Sequence, residues 1–176
     1  MNSFFSGGGV EIERKFRVQG RPWLEWAGGV ALRQGYLSRS AQAVVRVRLA
    51  ADSAWLTVKG ATKGISRPEF EYAIPRAEGQ ALLALCGDAV IEKTRYRREE
   101  GGSLFEVDVF EGENAGLVVA EIELESPAQA FFRPAWLAEE VSHDPRYRNS
   151  ELSVHPYSEW SPDSSTGGAG VSSSSP

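Results

Sequence analysis

The stretch that decides the fold is Val10-Glu11-Ile12-Glu13-Arg14-Lys15-Phe16-Arg17-Val18. In an extended strand successive side chains point to opposite faces, so Glu11, Glu13 and Lys15 share one face while Ile12, Arg14 and Phe16 share the other. Two carboxylates and an ammonium then stand in a row. Like charges at that spacing repel, and a strand gains nothing from Glu-x-Glu unless something positive is brought to it. A lysine or arginine on a neighbouring strand would serve, and so would a metal ion.

The chain repeats this pattern. Val44–Leu49 alternates Arg46 and Arg48 with Val45, Val47 and Leu49, and Trp55–Lys59 sets Trp55, Thr57 and Lys59 opposite Leu56 and Val58. Glu69 and Glu71 oppose Phe70 and Tyr72; Lys93, Arg95 and Arg97 share a face; Glu106 and Asp108 oppose Phe105, Val107 and Val109; Glu121, Glu123 and Glu125 oppose Ile122 and Leu124. With a further strand over 31–37, the count is about eight strands and few helices. An antiparallel sheet with one wet face would also alternate. Solvated faces carry mixed polar residues, however, whereas here the charges come as like-signed doublets on six strands, Glu11/Glu13, Arg46/Arg48, Glu69/Glu71, Lys93/Arg95, Glu106/Asp108 and Glu121/Glu123. If the sheet closes, these faces point inward, and a barrel of about eight strands has room for side chains or one small ligand. So many buried ions would make a poor dry core, since desolvation costs several kcal/mol each. They would hold a polyanion with its divalent cation well, because arginines grip phosphate oxygens bidentately and carboxylates suit Mg²⁺ or Mn²⁺.

The rest of the sequence reads as one domain over 10–157, flanked by a loose 1–9 and a Ser/Gly/Pro-rich tail over 158–176 with too little apolar content to fold. A short helical turn over 23–27 ends at Gly28-Gly29. An amphipathic helix over 76–86 ends at Gly87. Ser126-Pro127-Ala128-Gln129 has the form of a capping box with proline at the first helical position, which predicts a helix there, kinked by Pro134 and resuming over 136–141. A last helix is predicted over 144–152. With 176 residues and a formal charge of −5, the chain does not have the basic surface that nucleic acids or anionic membranes select. No apolar run approaches a membrane span, and the N-terminus lacks the features of a signal peptide, so a cytoplasmic location is expected. The single Cys86 lies in an apolar run and reads as a core residue; His143 and His155 are not at zinc-ligand spacing.

Glu11-Ile12-Glu13-Arg14-Lys15-Phe16 resembles the ExExK signature of the CYTH domain, the triphosphate tunnel metalloenzymes. The resemblance continues through Leu32-Arg33-Gln34-Gly35-Tyr36-Leu37, the arginine pair of β-type segment 45–49, Ser66–Tyr72, Ile91–Tyr96, Phe105–Phe110 and Ala120–Leu124, and ends at Asp144–Ser150, so it covers about 10–152. It implies a mainly β, α+β fold, an eight-stranded antiparallel closed barrel with a few flanking helices. It also implies metal-dependent chemistry on triphosphates. By position, Lys15, Arg46, Arg48, Lys59, Lys93 and Arg95 would bind phosphate, and Glu11, Glu13, Asp108, Glu121 and Glu123 would hold Mg²⁺ or Mn²⁺. Tyr36 would position substrate; Glu11, Glu13, Lys15, Tyr36 and Arg95 form the catalytic set, with Glu106 and Glu69 at its margin. Arg14 and Arg33 fall on the outer face. Arg146 and Arg148 fall either on a helix at one tunnel mouth or on the surface. Within the family the chain looks most like the short inorganic triphosphatases, which would hydrolyse tripolyphosphate to pyrophosphate and phosphate as a monomer or homodimer. Adenylate cyclase, nucleoside or thiamine triphosphatase and a non-catalytic polyphosphate-binding module are the alternatives.

Overall fold

A computed structural model describes residues 9–160. The expectations for 1–8 and 161–176 lie outside the described residues. Strands β1 (Val10–Val18), β2 (Val30–Arg39), β3 (Ala43–Ala50), β4 (Ser53–Gly60) and β5 (Ser66–Ile74) are followed by helix α1 (Arg76–Ala84). Then come β6 (Val90–Glu100), β7 (Ser103–Phe110), β8 (Val118–Glu123), a short β9 (Leu137–Glu140) and the one-turn helix α2 (Asn149–Leu152). The strands pair in the order β5-β4-β3-β2-β6-β7-β8-β1, and β1 returns to β5 through Val10–Ile12 opposite Ser66–Pro68. The sheet is thus a closed eight-stranded antiparallel barrel, with β9 added along β1 at Phe16 and Val18.

Closure with this sequence turns the apolar faces outward. Phe16, Phe105, Val107, Ala120, Ile122 and Leu124, from β1, β7 and the β8 end, pack outside the barrel with Leu137, under Phe131 and Trp136. A second cluster, Ile91, Phe110, Leu117 and Val119, closes one end of the barrel: Ile91, Phe110 and Val119 share the inward parity of Lys93, Asp108 and Glu121, Tyr36 packs against them, and Val141, Tyr147 and Leu152 cover them. The third, Val47, Leu49 and Ala54, lies under Leu83 of α1. Each fully buried aromatic or branched side chain contributes roughly 1.5–3 kcal/mol relative to exposure. These clusters, two outside the barrel and one closing its end, are what stabilise it, since the rest of the interior is charged.

The local signals worked where they were short-range. The helix predicted over 76–86 forms as α1 and is followed by Gly87 at φ +63°. The β6–β7 hairpin turns on Gly101 and Gly102 at φ +59° and +74°, the pair of left-handed residues that a tight two-residue turn demands. The predicted 144–152 helix divides into a 3₁₀ turn, Pro145–Tyr147, started by the Asp144 carboxylate accepting from the Arg146 N–H at 3.0 Å, and α2.

The helix predicted from the capping box does not form. The Gln129 side chain does reach back, accepting from the Glu125 N–H, and the Gln129 N–H reaches Ser126, but this closes a turn only. Phe131 meets Phe16 and Phe105 at ring-centroid distances of 5.7 and 6.4 Å, and Trp136 meets Phe105 at 5.2 Å. A continuous helix would not lay these side chains across three strands. Burial of aromatic surface outweighs a capping signal of about 1 kcal/mol, and 137–140 becomes β9. The first residues of the expected tail, 158–160, pack on the domain: Tyr157–Glu159 form a 3₁₀ turn and Trp160 packs edge-on against Tyr147 and Tyr157. Among the described residues, no helix is long and apolar enough to cross a membrane.

Candidate active site

The inward faces enclose a cavity of about 1000 Å³. Strand alternation alone places its wall: every odd position from Glu11 to Lys15 and from Arg67 to Glu71 faces inward, as do the even positions Arg46 and Arg48. Glu11, Glu13, Lys15, Tyr36, Arg46, Arg48, Lys59, Glu69, Arg95, Glu106, Glu121 and Glu123 all line the cavity. Arg14 and Arg33 point outward, where they pair with Glu140 and Glu92.

One group of charges gathers at the β1–β5 closure. Lys59 Nζ donates to both Glu11 oxygens at 3.0 Å and pairs with Glu69 at 2.9 Å, while Arg67 Nε donates to Glu11 at 2.6 Å. Burial raises the Glu11 pKa, but Lys59 and Arg67 outweigh it and hold the carboxyl well below the usual range. Burial and the neighbouring Glu11 charge push Glu69 the other way, upward. Burial lowers the Lys59 ammonium.

A second group joins β3, β4 and β5. Glu71 accepts from Arg46 and Arg48 at 3.2 Å and from Thr57 Oγ1 at 2.8 Å. Burial and the adjacent Arg46 bring the Arg48 guanidinium down to about 10.

The third group crosses β1, β8, β7 and β6. Lys15 Nζ donates to Glu13 and, at 2.5 Å, to Glu121. Arg95 forks onto Asp108 at 2.6 and 2.7 Å, and reaches Glu121 at 2.8 Å and Glu106. Burial opposes ionisation of Glu121, yet Lys15 and Arg95 draw its pKa far below the carboxylate range. Lys93 and Asp108 share the inward faces of Arg95 and Glu106 but lie buried below the cavity lining, 2% and 0% exposed, paired with each other. Lys93 also donates to Asn149 Oδ1 at 3.0 Å, and burial lowers its ammonium to about 8. Asp108 is occupied by donors from both Lys93 and Arg95 and, unlike Glu11, Glu13, Glu121 and Glu123, does not line the cavity.

The carboxylates at β1 and β8 suit a hard cation. Glu13 stands directly opposite Glu123 in register, and Lys15 opposite Glu121. Like charges placed so oppose the pairing. Lys15 answers Glu13 and Glu121, whereas Glu123 has no cationic partner among the described residues. No three such side chains gather round one point among the described residues. An ion there would take carboxylates from the barrel and its remaining oxygens from a phosphate ligand, the usual habit of Mg²⁺.

Several inward residues were passed over in the sequence. The sequence places Glu71 on the inward face beside Glu69 without a role at the site, and Arg67 carries the same parity and could have been found by it. Gln34 is fully buried and Thr57 likewise; nothing in their residue type marks them. Arg148, Asn149 and Ser150 line one end of the cavity, while Arg146 pairs with Asp144 on the surface. Register and the approach of α2 decide this, and neither can be read from spacing.

The family model for the CYTH domain matches residues 9–156. An inorganic triphosphatase of Acetivibrio thermocellus is 49% identical over 150 residues, which are 85% of this chain and 96% of that protein. The inorganic triphosphatase of Nitrosomonas europaea is 39% identical over 149 residues, 82% of this chain and 97% of its own length. The crystal structure of an inorganic triphosphatase superposes with a TM-score of 0.60 at 36% identity, covering 81% of this chain and 93% of that one. The inward charge pattern, the closed barrel and the extent of these matches lead to one statement: the chain belongs to the CYTH domain family.

Proposed function

We propose that this protein hydrolyses inorganic triphosphate to pyrophosphate and phosphate inside the barrel, with Mg²⁺ or Mn²⁺ as cofactor, as a cytoplasmic monomer or homodimer. The observation that carries the reading is the wall itself: eight cations, Lys15, Arg46, Arg48, Lys59, Arg67, Arg95, Arg97 and Arg148, line one cavity of about 1000 Å³ with carboxylates of four strands. A water-filled surface groove would not need to desolvate so many charges, and a polyanion bound with its counter-cation offsets that cost. The inorganic triphosphatase relatives support the same substrate class.

In this reading Arg46, Arg48 and Arg95 bind phosphate oxygens through paired N–H donors, with Lys15 and Lys59 as point charges. Lys93 adds positive potential from below the cavity lining. Glu13, Glu121 and Glu123 would offer carboxylate oxygens to the metal, with phosphate oxygens completing its shell, and Glu11 stands on the same inward face of β1, two residues from Glu13. Glu69 and Glu106 steady Lys59 and Arg95. Asp108 orients Arg95 and Lys93. A bound divalent cation would neutralise phosphate oxygens and acidify the attacking water. The chain's cations stabilise the charge that develops on the departing pyrophosphate, and no protein nucleophile is required. The test is a panel of tripolyphosphate, ATP and thiamine triphosphate, each with Mg²⁺ and Mn²⁺, with cyclic AMP assayed beside ATP. Preferential cleavage of tripolyphosphate is expected. Cyclic AMP formation, or binding without product, would replace the reading with a cyclase or a binding module.

A further inference from the structure

Strand β2 turns Gln34 and Tyr36 to the same inward face, and the two behave differently. Tyr36 lines the cavity, whereas Gln34 is completely buried beneath it. Gln34 Nε2–H donates to Tyr36 Oη at 3.0 Å. The other end of the amide, Oε1, has no hydrogen-bond partner among the described residues, and neither have Arg46 Nε and Arg48 Nε. These three atoms belong to neighbours: in the β2–β3 register Gln34 faces Arg48 and Tyr36 faces Arg46.

An amide can be turned either way round, and the surroundings decide which. Two guanidinium groups on the adjoining strand attract a carbonyl oxygen and repel an NH₂. That favours Nε2–H toward the phenol, as found, with Oε1 left without a hydrogen-bond partner. A phenolic oxygen that accepts a hydrogen bond on one side must send its own proton elsewhere. Since Tyr36 borders the cavity, the cavity is where that proton can find an acceptor.

We propose that Gln34 is a positioning residue that holds the Tyr36 hydroxyl as a hydrogen-bond donor aimed into the tunnel, toward an oxygen of the phosphorylated ligand. This rests on the triphosphatase reading for the identity of the ligand, but the Gln34–Tyr36 coupling does not. In the reverse arrangement Tyr36 would donate to the amide carbonyl, present only lone pairs to an anion and repel it. Burial keeps the phenol protonated, with its pKa pushed up to about 12, so the donor persists throughout the neutral range.

The experiment is a double-mutant cycle with Gln34→Met, Tyr36→Phe and the pair, with Gln34→Glu added as an isosteric acceptor that cannot donate. Tripolyphosphate turnover and thermal unfolding are measured for each. Gln34→Met is expected to lower kcat about tenfold, the scale of one lost hydrogen bond to a charged group, with KM moved less. Gln34→Glu should fall further, because it captures the Tyr36 proton. The double variant should be no slower than Tyr36→Phe alone. Losses that multiply in the double variant, or a Gln34→Met enzyme with wild-type kcat, would overturn the proposal. A wild-type protein that does not cleave tripolyphosphate would reject the functional reading instead. In that case the unfolding data still decide: non-additive melting temperatures uphold the Gln34–Tyr36 pair, and additive ones overturn it.

Discussion

The Lys15 ammonium donates to the Glu121 carboxylate at 2.5 Å, directly across the β1–β8 pairing. The same nitrogen donates to Glu13. Lys15 thus occupies a position between two carboxylates that also suits a metal ion, and with ligand bound its charge is available to phosphate. Lys15→Met removes the internal cation and leaves Glu13, Glu121 and Glu123 to repel one another. Turnover should fall by about 10² or more, as when a preorganised charge donor is lost. Its melting temperature should rise more on addition of Mg²⁺ than that of the wild type, because a ligand that binds only the native state stabilises more at a given concentration the tighter it binds. Equal Mg²⁺-induced shifts in the two proteins would count against this placement of the ion.

Arg67, absent from the set expected from sequence, contacts Glu11 and helps to hold it ionised. Arg67→Met takes away one of the two cations that offset the burial of Glu11, so the Glu11 pKa rises. If turnover needs Glu11 ionised, the acid limb of the kcat/KM profile moves to higher pH in the variant. The profile is read from initial rates across the acid range; an unmoved limb would show that Glu11 does not govern it.

Gly79 faces β3 and β4 from α1. A Cβ there would stand 2.5 Å from the Ala54 methyl group and 2.9 Å from Leu49 Cδ2. Gly79→Ala should therefore destabilise by about 1–3 kcal/mol through overpacking, although alanine is the better helix former. Denaturant unfolding gives the stability and a turnover assay shows whether the interior is disturbed; kcat should be unchanged, because α1 touches only the outside of the barrel.

The fold was legible because its rule is local. Alternation assigns each strand residue to a face, and Arg14, two positions from no other arginine on its face, falls outside on parity alone, where it meets Glu140. The like-charged doublets then identify the inside. Parity does not report which strands are neighbours. The opposition of Glu13 to Glu123 and the Arg67 contact with Glu11 come from register and closure. The segment over 126–141 misled because Ser-Pro-Ala-Gln is a helix-start signal of local origin, whereas Phe131 and Trp136 are placed by burial against Phe16 and Phe105. Gln34 stayed hidden because its role depends on a tyrosine two residues on and on arginines opposite.

The Arg14–Glu140 pair offers a control on the outer wall. Its hydrogen bond from Arg14 draws the Glu140 pKa below the ordinary carboxylate value. A depressed native pKa means that the unfolded chain binds the proton more readily. The pair's contribution is therefore complete above the unfolded-state value and is lost as pH falls through the native one. Glu140→Gln should melt lower than wild type at neutral pH and converge with it in acid, with kcat intact throughout. Melting curves at a series of pH values check the convergence; a constant gap would mean that the pair's charge is not responsible.

The most direct test is the release of phosphate and pyrophosphate from tripolyphosphate with Mg²⁺, comparing the wild type with Glu13→Gln, whose unfolding is followed in parallel. Expected are equimolar phosphate and pyrophosphate from the wild type, loss of release when the metal is chelated, and turnover in Glu13→Gln reduced by about 10² or more, the scale of losing a group that stabilises the transition state, in a protein that still folds. Equal turnover in the folded Glu13→Gln variant would contradict this expectation.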